Sequence, residues 1–438
     1  MSIAAQASKR VISVDGIPLS GKVTDFYYYE SLLSPYVTAN FNYIDTGNSI
    51  VASQSQDTQG RFGTLTSSLP LENRNVTFRF ENSLGELNYL RYPMKIDGYN
   101  ETARESQREA ITVRLYSQLG IENEKTRISK KFYNNIGDSV RKILKNELKV
   151  KSDRIKVTST KNPYSFTGST LRPCDLCIDL ASKSTPVSGG DPGFFFYETK
   201  SGIYFKSIDE LVAQKPKYTY EYNQAFTSDL KEDSNAFRIL NKPNKFDQSI
   251  IKSLRSGMYY AKFCFINEKD LTMEEKYYSI EQFKRNTLGK KFEFDANLKS
   301  KPSRVYTVLI PEGMMEKGIS KNAAGSANDP REYLARSIMR YNLLFVQVMN
   351  IMIPCNLDLE AGDVIECKFE KITVSEKSLG ANDERQSGKY LIMNLCHYFG
   401  TTNSYTSLTL VRDTYGAYTG SSGGVLWIII ILKMETNL

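Results

Sequence analysis

The chain has 438 residues, too long for one ordinary domain of roughly 100–200, so two to four structural units are expected. Hydrophobic residues make up 40% and charged residues 24%, a balance that excludes a largely disordered chain. The formal charge of +8 is spread along the length, with Lys and Arg mixed among Asp and Glu, so a solvated, mildly basic surface is favoured over a nucleic-acid-binding module.

There are 28 Tyr and 22 Phe beside one Trp and one His, an aromatic excess that favours strands and buried contact faces. Six scattered cysteines do not form the dense framework of a small secreted domain, and the opening MSIAAQASKR lacks the apolar core of a signal peptide, so a reducing compartment is expected. The apolar run Val425 to Leu432 falls short of the about 20 residues that cross a bilayer, so no membrane-spanning segment is expected.

In chain order, residues 1–118 read as a first β unit. Val37, Ala39, Phe41 and Tyr43 alternate with Thr38, Asn40 and Asn42; Val76, Phe78 and Phe80 repeat the pattern, and Ile111 to Leu115 form a return strand. Gly47-Asn48 and Ser83 to Gly85 supply turns. Within residues 119–214, the spacing of Ile128, Phe132, Ile136, Val140, Ile143 and Leu144 predicts an amphipathic helix over 124–148. Its basic face either meets an acidic partner or is simply solvated, the commoner case.

Leu171-Arg172-Pro173 opens a second helix that runs through Leu180 and Ala181. After a loop from Thr185 to Gly193, Phe194 to Thr199 and Ile203 to Phe205 predict a hairpin joined at Ser201-Gly202. Ser207 and Glu210 then match a capping box. Residues 215–300 are weakly periodic apart from a helix predicted around Ile250 to Phe263, and read as an inserted α+β domain.

From 301 to 415 strands resume at Val305 to Ile310, Leu343 to Ile353, Val364 to Phe369, Tyr390 to Tyr398 and Ser407 to Arg412, with a helix from Asp329-Pro330 through Arg340. The Leu359 to Ile365 segment reads equally as a small-barrel turn or an ordinary hairpin. Residues 416–438 form an apolar tail, which either adds as a strand to a neighbouring sheet or is a sequence artefact. Tyr92 to Asp97 precedes Ile111 to Leu115 much as Tyr390 to Leu395 precedes Leu408 to Arg412, a pattern that fits an internal duplication or two unrelated hairpins.

Little in this pattern points to catalysis or metal chemistry. Cys174 and Cys177 have the spacing of a redox couple or half a zinc site, but Cys264, Cys355, Cys367 and Cys396 are isolated and His397 is the sole histidine, so buried, inert thiols are the favoured reading. A single histidine in an alternating strand, with no nucleophile elbow, leaves no acid–base scheme of the usual kind. Gly189-Gly190 and Gly423-Gly424 lack the Lys-Ser or Lys-Thr of a phosphate loop. No catalytic, metal or cofactor-binding residue is therefore assigned, and the expectation is a structural protein, with a tail-borne cell-wall hydrolase as the enzymatic alternative.

Three segments together resemble the baseplate central hub proteins of contractile-tailed bacteriophages of T-even and cyanophage type: Ser34 to Ala39, GFFFYETKSGIYFKSIDEL at Gly193 to Leu211, and Ser387 to Ile392 followed by Ser407 to Asp413. The likeness covers about residues 1–415. It implies a mainly β fold with α+β insertions, in which two tail-tube-like β-barrel domains are accompanied by smaller inserted domains. The first barrel would be 1–118, and the second would be completed by 301–415 with help from the hairpin of 119–214.

The resemblance further implies a homotrimer that adapts the six-fold tail tube to the three-fold central spike and leaves a DNA passage. Its implied partners are a tail spike or spike-lysozyme protein, a tail tube or tube-initiator protein, a tape-measure protein, and DNA crossing the lumen without sequence-specific binding. It implies a place in the virion tail baseplate, assembled in the host cytoplasm. Phe194, Phe196, Ile203 and Phe205 of the aromatic hairpin are the candidate subunit-contact residues. Another tail structural protein, such as a tube initiator or spike base, is the alternative of the same class.

Overall fold

The computed structural model describes residues 9–19, 22–46, 65–68, 71–105, 108–161, 164–168, 170–222, 236–241, 244–247, 249–267, 271–282, 286–289, 296–310, 329–371, 382–383 and 385–414. The Gly47-Asn48 turn and the 416–438 tail lie outside them. The fold is mainly β, built on one large curled half-barrel sheet. Among the described residues no helix is long and apolar enough to cross a membrane.

The strand-rich ends of the chain are two parts of a single 14-stranded sheet. Val23–Ser31 pairs on one side with Thr38–Asp45, its neighbour in sequence, and on the other with Gly388–Gly400, in antiparallel register from Asp25 opposite Gly400 to Ser31 opposite Asn394. Strict alternation explains the packing. Phe26, Tyr28, Val37, Ala39, Phe41, Tyr43, Val76, Phe78, Phe80, Ile111, Val113 and Leu115 all point inward and join Ile351, Ile353, Leu395, Phe399, Leu408 and Leu410 in one core.

Gly388–Gly400 serves two neighbours in turn. Its first residues pair with Val364–Phe369, and from Asn394 onward it pairs with Val23–Ser31. A bulge between Ile392 and Asn394, in its register with Ser404–Arg412, sits where the neighbour changes, and such an extra residue bends the strand and tightens its twist. Met94–Glu105 carries a comparable irregularity between Ile96 and Gly98 against Arg108–Tyr116. The two segments noted as a repeat are thus both long hairpins with a bulged first strand.

Residues 124–148 depart from the helix expected there. Thr126 already has extended backbone, and Lys131–Phe132 pairs with Phe166–Thr167, whose Phe166 ring stacks on Phe132 at 4.9 Å; the helix is Ile136–Lys142, prolonged by a wider turn at Ile143–Glu147. Tertiary pairing overrides a pattern that remains correct about burial, since Ile128 and Phe132 are both in the core. The helix expected at Ile250 to Phe263 stops at Arg255. Gly257, at φ +66°, turns the chain, and Tyr260–Asn267 continues as a strand.

That strand is the middle of a small sheet flanked by Met273–Ser279 and Arg304–Ile310, with the helix Pro330–Leu344 packed on one face through Ala335 and Met339. By contrast, Thr219–Tyr222 and Asn244–Asp247 belong to the large sheet. Residues 215–300 therefore contribute to two different layers.

Phe26 is the aromatic keystone of the junction, 4.8 Å from both Phe78 and Phe80 and 6.3 Å from Phe399 across the paired strands. Phe26→Ala should cost ~3–5 kcal/mol in equilibrium unfolding, because a cavity opens where both ends of the chain meet. Hydrogen exchange should speed up in Thr38–Asp45 and Gly388–Gly400 together; acceleration in only one of them would show that the two ends have separate cores.

Candidate functional site: a hairpin clamp at the sheet junction

The aromatic hairpin Phe194–Thr199 and Gly202–Ser207 does not extend the large sheet. It pairs with Ile155–Val157 in a three-stranded sheet of its own and is buried on both faces. Phe194, Phe196, Ile203 and Phe205 lie against Val140, Cys174, Cys177 and Leu180 of the helices, while Phe195 and Tyr197 lie against Leu211, Val364, Leu391 and Val411. Two-sided burial explains why Phe194 to Tyr197 is continuously apolar instead of alternating. The four residues picked as subunit contacts are at most 3% exposed within their own chain, so their side chains present no surface to a neighbour.

The hairpin's polar tip is driven into the junction. Gly202, where an added Cβ would lie 2.6 Å from the Arg154 carbonyl oxygen, lets the turn approach that closely. The backbone N–H of Lys200 donates to Glu30 Oε1 at 2.7 Å, Tyr28 Oη donates to the same oxygen at 2.7 Å, and the N–H of Ala361 donates to Glu30 Oε2 at 2.8 Å. Thr199 Oγ1 donates to Glu360 at 2.6 Å, Ser201 Oγ donates to the same carboxylate, and Lys200 Nζ donates to the Leu357 carbonyl. Glu198 accepts from the Val37 N–H at 3.2 Å and pairs with Arg154 at 3.2 Å. One turn thus grips Val23–Ser31, the segment before Thr38–Asp45, and the 357–361 loop from the far end of the chain.

Burial dominates the electrostatics. It pushes the Glu30 carboxyl up to about 8, with nearby Glu360 adding to the shift while Tyr28, the Ala361 N–H and Lys200 oppose it. Burial also raises Glu198 against the pull of Arg154. His397 is pushed down to about 3, by burial first and Lys200 second, so it stays neutral; its Nδ1 lies 2.9 Å from Thr406 Oγ1 and its ring stacks 6.0 Å from Tyr28. Glu30, Glu198 and His397 are all sealed within the junction.

A second buried lock ties the small sheet to the large one. Arg340 of Pro330–Leu344 lies 2.9 Å from Asp413 and 2.8 Å from Asp209, and donates to the Asn286 carbonyl at 3.0 Å. Arg336, one turn earlier, pairs with Asp191 at 2.8 Å. Cys174 and Cys177 are buried free thiols, pushed up by burial into the inert range. Among the described residues no cluster of three or more His, Cys, Asp or Glu could hold a metal ion.

The clamp was missed in the sequence, although a signal existed. Glu30 shares the inward parity of Phe26 and Tyr28, His397 that of Leu395 and Phe399, and Arg340 follows Met339 on the buried side of its helix. A charge in phase with a core stripe marks a buried polar partner. Periodicity cannot say which distant turn supplies it.

Two outcomes test this site. From the ordinary Glu value of 4.5 to about 8, the folded chain keeps on Glu30 a proton that the unfolded chain has lost, so stability falls as pH rises through that window. From 6.5 down to about 3, the unfolded chain protonates its histidine while the buried His397 stays neutral, so stability also falls on acidification. Glu30→Gln should lose about 1–2 kcal/mol at pH 5, from one unmatched donor, yet flatten the fall in melting temperature between pH 5 and 8.5. An unchanged slope would remove Glu30 from this role. Arg340→Met should cost ~3–5 kcal/mol by stranding Asp209 and Asp413, and adding Asp413→Asn should recover part of the loss.

Comparison with solved structures finds a similar fold in two tail proteins. The chain is similar to the 43 kDa tail protein of prophage MuSo2 from Shewanella oneidensis, with a TM-score of 0.53 and 10% identity over 92% of this chain and 98% of that one. It is also similar to a tail protein from Neisseria meningitidis MC58, with a TM-score of 0.53 and 8% identity over 93% of this chain and 97% of that one. No family model and no curated protein matches the sequence. At such identity the likeness is one of fold, and it extends over nearly the full length of all three chains.

Proposed function

We propose that this chain is a non-enzymatic structural subunit of a phage-type tail, acting as a baseplate hub. Three copies would form a ring that adapts a six-fold tail tube to a three-fold central spike and encloses the DNA passage. The observation that carries this reading is the curled half-barrel sheet, made by both ends of one chain and shared in fold with tail proteins across more than nine-tenths of each. A half-barrel needs neighbours to close it, and copies of the same chain around an axis provide them.

The sheet's second face suits an assembly role. The rings of Tyr27, Tyr398 and Tyr405 lie tilted against one another along it at 4.9 and 4.6 Å, beside Tyr29, Asn40 and Asn42. Such a face offers aromatic contact area together with polar and charged groups, Asp25 and Arg114 among them, for a neighbouring subunit to meet. In this reading the chain joins a spike or spike-lysozyme protein below and a tube, tube-initiator or tape-measure protein above, within the virion tail baseplate. The sole histidine is sealed inside the sheet junction, which favours a scaffold over a tail-borne hydrolase.

Native mass spectrometry of the purified chain, alone and with its spike partner, should give a species of three chain masses, and peptidoglycan incubated with it should stay intact. A monomer in both samples would overturn the ring. Release of muropeptides would establish the hydrolase instead.

A further inference from the structure

Among the described residues, one edge of the small sheet has no strand beside it. Arg304–Ile310, of sequence RVYTVLI, pairs in parallel with Tyr260–Asn267 on one side only, and its outer side has no backbone partner among the described residues. Natural sheets usually blunt such an edge with lysine, proline, a bulge or a covering loop. Here the only charge is Arg304, and the pairing runs without a register shift. Seven residues of high β propensity are thus held extended, with half their peptide groups facing outward.

The face beside this edge presents large apolar side chains around a Lys262–Glu275 ion pair. Register places Met273, Ile266 and Leu309 in one row across the three strands, and Tyr277, Lys262 and Val305 in another. Val305 is 57% exposed, Leu309 59%, Met273 58% and Tyr277 46%, whereas the opposite face is covered by Pro330–Leu344. Tyr306 and Val308 lie half-buried at the rim of that covered core, where one more strand would complete their burial. At the strand's start the surface is basic: Arg304, Arg255 and Lys301 are exposed, with Arg304 Nη1 donating to the Arg255 carbonyl at 2.9 Å.

We propose that Arg304–Ile310 is a docking edge, on which an extended segment of a different polypeptide adds as a fourth strand. The recognised segment has apolar residues at alternate positions to lie beside Val305 and Leu309, and an acidic residue at the end that meets Arg304. Antiparallel addition is favoured, since that ladder is the more stable per residue. A second copy of the chain is the poorer occupant. Antiparallel self-pairing would set Val305 against Leu309, but RVYTVLI has no acidic residue and would leave the basic end of each copy unmatched.

The inference does not depend on ring formation, and the experiment needs only the purified full chain. Hydrogen exchange followed by mass spectrometry should show the amides of 304–310 exchanging faster than those of 261–266. A fluorescein-labelled seven-residue peptide that alternates threonine and valine and ends in glutamate should bind and slow exchange at 304–310. Replacing its glutamate by lysine should weaken binding. The Val305→Lys, Leu309→Lys double variant should lose about tenfold in affinity from two lost cross-strand contacts, with an unchanged circular dichroism spectrum because both sites are exposed.

Slow exchange at 304–310 in the free chain, protection confined to other segments, or affinity indifferent to the lysine substitutions would overturn the proposal. So would a concentration-dependent dimer, seen by sedimentation, that the double variant abolishes, because the edge would then belong to a second copy.

Discussion

The antiparallel pairing of Val23–Ser31 with Gly388–Gly400 is the contact on which the architecture depends, because it joins the two ends of the chain into one sheet. Closing a loop of this size is entropically unfavourable, although the cost rises only slowly with length. Apolar packing across the seam offsets it: Phe80 stacks on Phe399 at 4.0 Å, and Phe26 bridges Phe78, Phe80 and Phe399. If that seam were lost, the curled sheet would divide into two pieces, each with a raw edge and half a core.

Apolar packing alone tolerates slippage, and the buried clamp makes slippage costly. Moving the seam by one residue would send Glu30 to solvent, turn Tyr29 inward and leave the N–H groups of Lys200 and Ala361 without an acceptor. The buried Glu30 carboxyl group therefore selects register more than it adds stability, the role best attested for buried polar groups. Its elevated pKa is a consequence of that position. The Arg340 lock plays the same part between layers, holding the small sheet at a set angle to the end of Ser404–Arg412.

Several elements were legible and several were not, for identifiable reasons. Alternation in Thr38–Asp45, Asn75–Asn82 and Arg108–Tyr116 assigned both strand and inward face, because one face meets the core and the other does not. The Asp329 cap and Pro330 start placed the last long helix, with Asp329 accepting from the Arg331 N–H at 2.9 Å. The capping box after the hairpin is half formed: Ser207 Oγ accepts from the Glu210 N–H, while the Glu210 carboxylate accepts from Thr158 Oγ1 instead of reaching back. In the hairpin, the apolar run showed burial without saying against what. Phe194 and Phe196 pack against helices of the same chain.

By itself the sequence determined the mainly β class, the inward parity of Thr38–Asp45, Asn75–Asn82 and Arg108–Tyr116, and the hairpin at Phe194 to Ser207. Each of these follows from local steric and solvation rules that act over a few residues. Only the tertiary structure decided that the two ends share one sheet, that 128–132 is extended, and that a turn at Lys200 clamps Glu30. Those outcomes depend on partners distant in the chain, Phe166 for Phe132, Lys200 for Glu30 and Asn394 for Ser31, which no local period encodes.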